Sequence, residues 1–146
     1  MPDVDPSEAG SRYERGERVR REVLGDEHVD RSLAQLDDFS HALNELVTEA
    51  CWGDVWTRPG LERRTRSLLN IVMLTALGRN HELGVHVRGA IRNGCTDIEI
   101  REALLQAAVY CGVPAALESS RVAAAVLREL AESVSSVSNG LGEDVG

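Results

Sequence analysis

A glutamate and a histidine near the middle of the chain have a spacing that suits acid–base chemistry. Glu82 and His86 are four residues apart, so on a helix they lie one turn apart on the same side. A helical wheel places them in a stripe at the edge of an apolar face, half sheltered, whereas His81 points away. A carboxylate beside an imidazole is a usual proton-transfer pair. The spacing therefore predicts an acid–base site, with an ordinary pair on a helix surface as the alternative.

A pair of tryptophans and the turn after them form a second candidate. Trp52 and Trp56 are also four residues apart, in a chain with two Trp, two Tyr and one Phe. Such a pair is suited to wall a pocket, and packing in the core is the alternative. Arg58 follows in a Pro-Gly turn, and more arginines come soon after it, namely Arg63, Arg64 and Arg66. A guanidinium binds a carboxylate bidentately, so the cluster predicts a carboxylate-binding site, with solvated surface charge as the alternative.

Helices are the elements that must position these residues. Aromatic residues make up 3% of the chain and no run of alternating β-branched residues occurs, which disfavours a β fold. Apolar residues recur instead at helical spacing, and Gly or Pro separates the periodic stretches. We therefore predict an all-α fold, a bundle of about six helices. The helices are expected at residues 11–24, 38–56, 61–77, 81–93, 97–111 and 114–132.

Capping residues and apolar runs add detail to this prediction. Asn80 is the predicted N-cap of the helix that carries Glu82 and His86. Thr96 and Glu99 match a capping box at the start of the next helix. The helix at 61–77 contains the run LLNIVMLTAL, which is apolar nearly all round. It is therefore predicted to be the central buried helix.

The chain length suits one domain with short tails. Residues 1–10 are rich in Asp, Pro, Ser and Gly, which predicts a disordered N-terminal tail. Residues 11–132 are the predicted helical domain. Residues 133–146 are poor in bulky side chains and are predicted to be a mobile C-terminal tail.

The charge balance disfavours several classes of partner. The chain has 16 Lys+Arg against 24 Asp+Glu, a formal net charge of −8, whereas nucleic-acid binding needs a basic face. The most apolar stretch, Leu68 to Leu77, is far shorter than the roughly 18–20 residues that span a membrane. The acidic N-terminus lacks the apolar core of a signal peptide. We therefore predict a cytoplasmic protein with neither nucleic acid nor a membrane as partner.

The cysteine pattern disfavours a metal or dithiol centre. The three cysteines, Cys51, Cys95 and Cys111, are widely spaced and no CxxC occurs, so no zinc site is signalled. We expect all three to be buried and reduced.

Three motifs carry a family resemblance. WG-x-x-W-x-RPGL, HEL-x-x-HVRGA and YCG-x-PAA begin at Trp52, His81 and Tyr110. Across Glu45 to Ser119 the chain resembles the carboxymuconolactone decarboxylase family. The resemblance implies an all-α homo-oligomer, expected to be a hexamer, in the protocatechuate branch of aromatic degradation. It implies a small lactone dicarboxylate as substrate and neither a cofactor nor a metal.

The implied reaction assigns hypothetical roles to the candidate residues. Loss of CO2 from the implied lactone leaves a dienolate, which must be stabilised and then protonated at carbon. His86 is interpreted as the proton donor or oxyanion partner, and Glu82 as its orienting or acid–base partner. Arg58 and His81 are the candidates for binding the substrate carboxylates. His81 lies at a helix N-terminus, which favours anions. Trp52 and Trp56 are the candidates for the pocket wall.

The wider superfamily includes thiol-dependent peroxidase partners, which carry a CxxC followed by a histidine. Aligned on His86, Arg79 and Glu82 occupy the two cysteine positions here. A glutamate that the thiol enzymes carry upstream falls at Ser67. These departures predict that the redox chemistry is absent from this chain.

Two alternatives to this function stay open. One is a related decarboxylase that acts on a different lactone or acid, as in secondary metabolism. The other is a non-catalytic helical oligomer that binds a partner. Turnover of carboxymuconolactone separates the three interpretations.

Overall fold

The computed structural model describes residues 10–140, and all regular structure in this range is helical. The predicted all-α class is therefore confirmed. The elements run in the order α1 (Arg12–Leu24), α2 (Asp26–Ala34), α3 (Asp38–Leu46), a π-helical segment (Val47–Val55), α4 (Arg63–Ala76), α5 (Asn80–Arg92), α6 (Asp97–Cys111) and α7 (Val113–Gly140). Residues 1–9 of the predicted N-terminal tail and 141–146 of the predicted C-terminal tail lie outside the described range.

Three helix predictions differ from the structure. Helix α2 was not predicted, because it is short, four of its nine residues are charged and only Val29 is buried. The predicted single helix over 38–56 changes into a π-helix at Val47, where backbone bonds span five residues instead of four. Helix α7 continues to Gly140, past its predicted end at Glu132. The mobility of the residues after 132 stays a prediction.

Residues 10–66 belong to one compact unit. Within it α1 packs directly against the π-helical segment, which continues α3. The buried apolar side chains of this unit come mainly from α1, α2 and the end of the π-helical segment; they are Val19, Val23, Leu24, Val29, Trp52 and Trp56. Burial of this apolar surface is the main force that holds these short helices together.

Residues 67–140 belong to the second compact unit. Its core draws on α4 to α7 and consists of Ile71, Leu83, Val87, Ala90, Cys95, Ile100, Leu104, Ala123 and Val126. The predicted apolar face of α5 is therefore confirmed. The predicted capping box is confirmed as well, because Thr96 Oγ1 accepts a hydrogen bond of 3.2 Å from the Glu99 amide and the Glu99 carboxylate accepts one of 2.9 Å from the Thr96 amide.

Two local predictions about this unit are wrong. Asn80 is the first residue of α5 and Arg79 is its N-cap. The side chain of Asn80 instead donates a hydrogen bond of 3.3 Å to Glu118 on α7. Cys111 is exposed at the end of α6, whereas Cys95 is buried and Cys51 is half-buried, so the expected burial fails for Cys111. The three cysteines form no disulfide with one another.

Helix α4 is buried on one side only, so its predicted central position is wrong for this single chain. Ser67, Ile71 and Thr75 are buried at intervals of one turn. On another side Leu69, Met73 and Leu77 are 46%, 51% and 70% exposed. The apolar run is therefore covered along one edge, and large hydrophobic side chains remain at the surface along another. None of the helices within residues 10–140 is long and apolar enough to cross a membrane.

Candidate active site

His86 lies on α5 beside the stripe that anchors this helix in the core. Leu83, Val87 and Ala90 are completely buried, which fixes the position and rotation of α5. His86 is half-buried next to that stripe, as the helical wheel predicts. The side-chain amide nitrogen of Asn70, on α4, lies 3.4 Å from Nδ1 of the imidazole. The structure therefore positions the ring from a neighbouring helix.

A second polar contact joins the same pair of helices. The side-chain nitrogen of Asn93, near the end of α5, donates a hydrogen bond of 2.9 Å to Oγ of the fully buried Ser67 on α4. Sequence reasoning assigned no role to Asn70. The available signal was an amide in the apolar run LLNIVMLTAL, because a polar side chain in such a run needs a partner.

Glu82 and His81 occupy the exposed first turn of α5. Glu82 therefore lies at the positive end of the helix dipole. The N-cap residue Arg79 makes no side-chain capping bond there, so backbone amides are available to an anion. The carboxylate of Glu82 competes with any added anion for this end of the helix. The roles of Glu82 as orienting partner and of His81 as carboxylate ligand stay predictions.

Trp52 and Trp56 are stacked on each other in the core of the first unit. Trp52 is 4% exposed and Trp56 is 5% exposed. Their ring centroids are 5.0 Å apart, with an interplanar angle of 22°. Burial raises the pKa of the neighbouring Cys51 thiol, and a hydrogen bond with Trp56 partly opposes this shift. This packing matches the alternative of core residues. A further role as a pocket wall stays a prediction.

Arg58 lies in the exposed turn that follows the π-helical segment. Its backbone amide donates to the carbonyl of Val55 at 3.2 Å, and its own carbonyl accepts a hydrogen bond of 3.2 Å from the Arg66 guanidinium. Arg63 is held by Glu22 at 2.6 Å. Arg63 and Arg66 thus have partners within the first unit, whereas the Arg58 side chain is exposed and can bind a carboxylate.

The predicted site residues fall into two sets. Trp52, Trp56 and Arg58 belong to the first unit, and the residues on α5, namely His81, Glu82 and His86, belong to the second. The structure brings Trp52 against Trp56 and His86 against Asn70. Within residues 10–137, no three His, Cys, Asp or Glu side chains lie close enough together to hold a metal ion. The second unit offers a positioned imidazole, which suits proton or oxyanion chemistry. The first unit, taken by itself, offers an exposed guanidinium, which can bind an anion.

Comparison with known proteins identifies relatives over most of the chain. Residues 41–125 match the model of the carboxymuconolactone decarboxylase family. A 4-carboxymuconolactone decarboxylase of Acinetobacter baylyi is 44% identical over 119 residues, which cover 82% of this chain and 89% of that protein. A nitrosuccinic acid decarboxylase of Metarhizium robertsii is 44% identical over 120 residues, covering 82% of this chain and 84% of that protein. A 4-carboxymuconolactone decarboxylase of Pseudomonas putida is 51% identical over 43 residues, covering 30% and 90%.

Proposed function

The chain belongs to the carboxymuconolactone decarboxylase family, and we propose that it converts 4-carboxymuconolactone into the β-ketoadipate enol-lactone by loss of CO2. The observation that carries the proposal is the 44% identity, over 82% of the chain, to a decarboxylase named for that substrate. The matched region 41–125 includes all the candidate site residues. We further propose a place in the protocatechuate branch of aromatic degradation, in the cytoplasm.

The proposed substrate can accept the electrons of its own decarboxylation. It is an unsaturated five-membered lactone with a carboxylate on its γ carbon. When the bond to that carboxylate breaks, CO2 leaves and the electron pair moves through the ring double bond onto the lactone carbonyl oxygen. The resulting 2-oxyfuran dienolate takes one proton at the α carbon to give the enol-lactone. The protein must therefore bind two carboxylates, stabilise an oxyanion and deliver one proton to the α carbon.

Each of these tasks has a candidate residue. His86 is half-buried and positioned from α4, which supports a role at the oxyanion or in proton delivery. Glu82, one turn earlier, is its proposed acid–base partner. Arg58 is exposed in a turn and is the proposed ligand of a substrate carboxylate. His81, Trp52 and Trp56 remain proposed as parts of the binding site.

A related acid is the second candidate substrate, because a nitrosuccinic acid decarboxylase is equally similar, at 44% identity over 120 residues. Nitrosuccinate is also a dicarboxylate. Loss of the carboxylate beside its nitro group would move the electron pair onto the nitro oxygens, and the resulting nitronate would take a proton at carbon. The same protein groups would therefore serve either reaction.

The experiment that tests the function is a comparison of two substrates. Purified protein is given enzymatically generated 4-carboxymuconolactone or nitrosuccinate, and CO2 release and substrate loss are followed. We expect kcat/KM to be higher for 4-carboxymuconolactone. Preference for nitrosuccinate would replace the proposal with the second candidate. Absence of turnover with both would favour a non-catalytic helical oligomer.

Arg58→Ala is expected to weaken substrate binding while leaving the fold intact. The guanidinium is exposed, whereas the backbone of Arg58 makes the local hydrogen bonds of the turn, and alanine keeps these. Loss of one charge-assisted pair should cost about 1.5–3 kcal/mol, or roughly 10- to 150-fold in kcat/KM. Steady-state kinetics measures this effect. Arg31→Ala, which removes another exposed arginine of the same unit, is the control, and equal kinetics for both variants would remove Arg58 from the site.

We propose that the protein is a homo-oligomer, and the family resemblance favours a hexamer. The support on this chain is an exposed stripe formed by Leu69 and Met73 on α4 and by Leu77, which directly follows that helix. These side chains are four residues apart and so share one side of the helix. A contiguous apolar stripe at the surface of a helical protein usually marks an interface between proteins.

Met73→Glu is expected to shift the oligomer toward smaller species, because it places a charge in the middle of the exposed stripe on α4. Desolvation of an unpaired carboxylate at an interface is costly. Multi-angle light scattering should give the wild type a mass several times the 15.9 kDa of one chain. Gln35→Glu, which adds the same charge at an exposed position, should keep that mass. A wild-type mass of one chain, or an unchanged mass for Met73→Glu, would contradict the proposal.

A further inference from the structure

The contact between Asn70 and His86 separates the two roles that the proposed function leaves to His86. The nitrogen of the Asn70 side chain, which only donates hydrogen bonds, lies 3.4 Å from Nδ1 of His86. A ring nitrogen that accepts this bond carries no proton, so the neutral ring has its proton on Nε2. An imidazolium carries a proton on both nitrogens and would set two donors against each other. The contact therefore favours the neutral ring.

We propose that Asn70 is a positioning residue that holds His86 as a neutral imidazole protonated on Nε2, so that Nε2 donates a hydrogen bond to the developing oxyanion. This inference rests on the proposed function. As the bond to the departing carboxylate breaks, the electron pair reaches the lactone carbonyl oxygen and the Nε2–H group stabilises the new charge. The proton stays on His86. The α carbon then takes its proton from a separate carboxylic acid, for which Glu82, one turn before His86, is the candidate.

The packing of α4 and α5 makes such positioning effective. Asn70 is flanked on α4 by Ser67 and Ile71, both completely buried, so the helix cannot rotate without disturbing the core. The hydrogen bond between Asn93 and Ser67 ties the same two helices together at 2.9 Å. The amide of Asn70 is thereby held near the ring by two helices that are each fixed independently of it.

The presence of an amide at position 70 supports the same conclusion. Asn70 is half-buried within the run LLNIVMLTAL, where a leucine would bury more apolar surface. A partly buried amide without a partner costs free energy, and the imidazole of His86 supplies one. A donor positioned in advance toward an oxyanion is usually among the larger contributions to catalysis, because it needs no reorganisation during the reaction.

The test reads the tautomer directly and independently of turnover. The wild-type protein is labelled with ¹⁵N-histidine, and long-range ¹H–¹⁵N spectra assign both ring nitrogens of His86 by comparison with a His86→Gln sample. We expect an unprotonated, pyridine-like Nδ1 and a protonated, pyrrole-like Nε2.

The Asn70→Asp variant places a carboxylate, which only accepts hydrogen bonds, beside Nδ1, and it should therefore draw a proton to Nδ1. We expect kcat to fall about 10²- to 10³-fold, with KM nearly unchanged and the helical circular-dichroism signal retained.

Asn93→Asp is the matched control. It makes the same amide-to-carboxylate change between the same two helices, but the hydroxyl of Ser67 can turn to donate to the new carboxylate. The His86 tautomer and kcat should stay close to those of the wild type. A protonated Nδ1 in the wild type, or a tautomer that Asn70→Asp leaves unchanged, would overturn the proposal. A wild-type protein with the expected tautomer but no turnover would overturn the proposed function and leave the Asn70–His86 assignment standing.

Discussion

His86→Ala is expected to lower kcat for decarboxylation by about 10²- to 10⁴-fold, the usual effect of removing a positioned acid–base or oxyanion group. The fold should survive, because His86 is half-buried beside the core stripe and is not part of it. The fully buried Leu83 and Val87 keep α5 in place. Steady-state kinetics measures the loss, and circular dichroism with light scattering verifies the fold and the assembly.

Two further variants make this result specific. His41→Ala removes an exposed histidine from α3 and should leave kcat unchanged. His86→Gln keeps a hydrogen-bond donor but cannot act as an acid, so it should retain more activity than His86→Ala if Nε2 acts as a donor to the oxyanion. Activity within a few-fold of wild type in a folded His86→Ala protein would show that another residue stabilises the oxyanion. Unfolding of that variant would show that His86 is structural.

The helical fold was predictable from the sequence because helix ends carry local chemical signals. The capping box of Thr96 and Glu99 and the stop at Gly112, which has a φ of 114°, lie where the sequence places them. The change from α-helix to π-helix at Val47 has no such signal in the sequence. In the π-helix each backbone hydrogen bond spans five residues instead of four, and the apolar pattern of the sequence does not reveal this change. At the end of the segment, for example, the Trp56 amide donates to the carbonyl of Cys51, five residues earlier, at 3.0 Å.

The candidate site was predictable only where it lies on a single helix. The wheel of α5 predicts that His86 sits beside the buried face, and its half-buried position confirms this. The partner at Nδ1 comes from α4, and spacing within one helix carries no information about which residue of another helix will face it. The sequence therefore suggests Glu82, the nearest neighbour along α5, whereas the structure places the amide of Asn70 against Nδ1.

The same limit applies to the tryptophans. Their spacing of four residues predicts that the two rings meet, and the 5.0 Å separation of their centroids confirms this. Whether the rings line a pocket depends on what packs against the outer ring face. Burial of both side chains shows that the core of the first unit takes up most of their surface. The spacing therefore established the pair, but not its environment.

Gly16→Ala is expected to destabilise the protein strongly, because the added methyl group has no room. An ideal Cβ at Gly16 would lie 1.9 Å from the carbonyl oxygen of Thr48 and 2.9 Å from the amide nitrogen of Gly53. Both are backbone atoms of the π-helical segment, so no side chain can turn away to make room. Overpacking of this kind typically costs about 1–3 kcal/mol, occasionally more, and a clash with two backbone groups places the expected loss at the upper end. The midpoint of urea unfolding measures it.

Gly84→Ala supplies the control, because it makes the same change inside another helix with a different environment. A Cβ at Gly84 would lie 3.6 Å from Cγ1 of Val122 and 3.7 Å from Cγ2 of Val126, which is ordinary packing distance. Alanine also favours a helix interior over glycine by roughly 0.5–1 kcal/mol, so this variant should be as stable as the wild type or slightly more stable. Equal stability of Gly16→Ala and the wild type would mean that α1 does not contact the π-helical segment at Gly16. A large loss would show that packing of α1 against the segment that carries Trp52 and Trp56 requires a glycine at position 16.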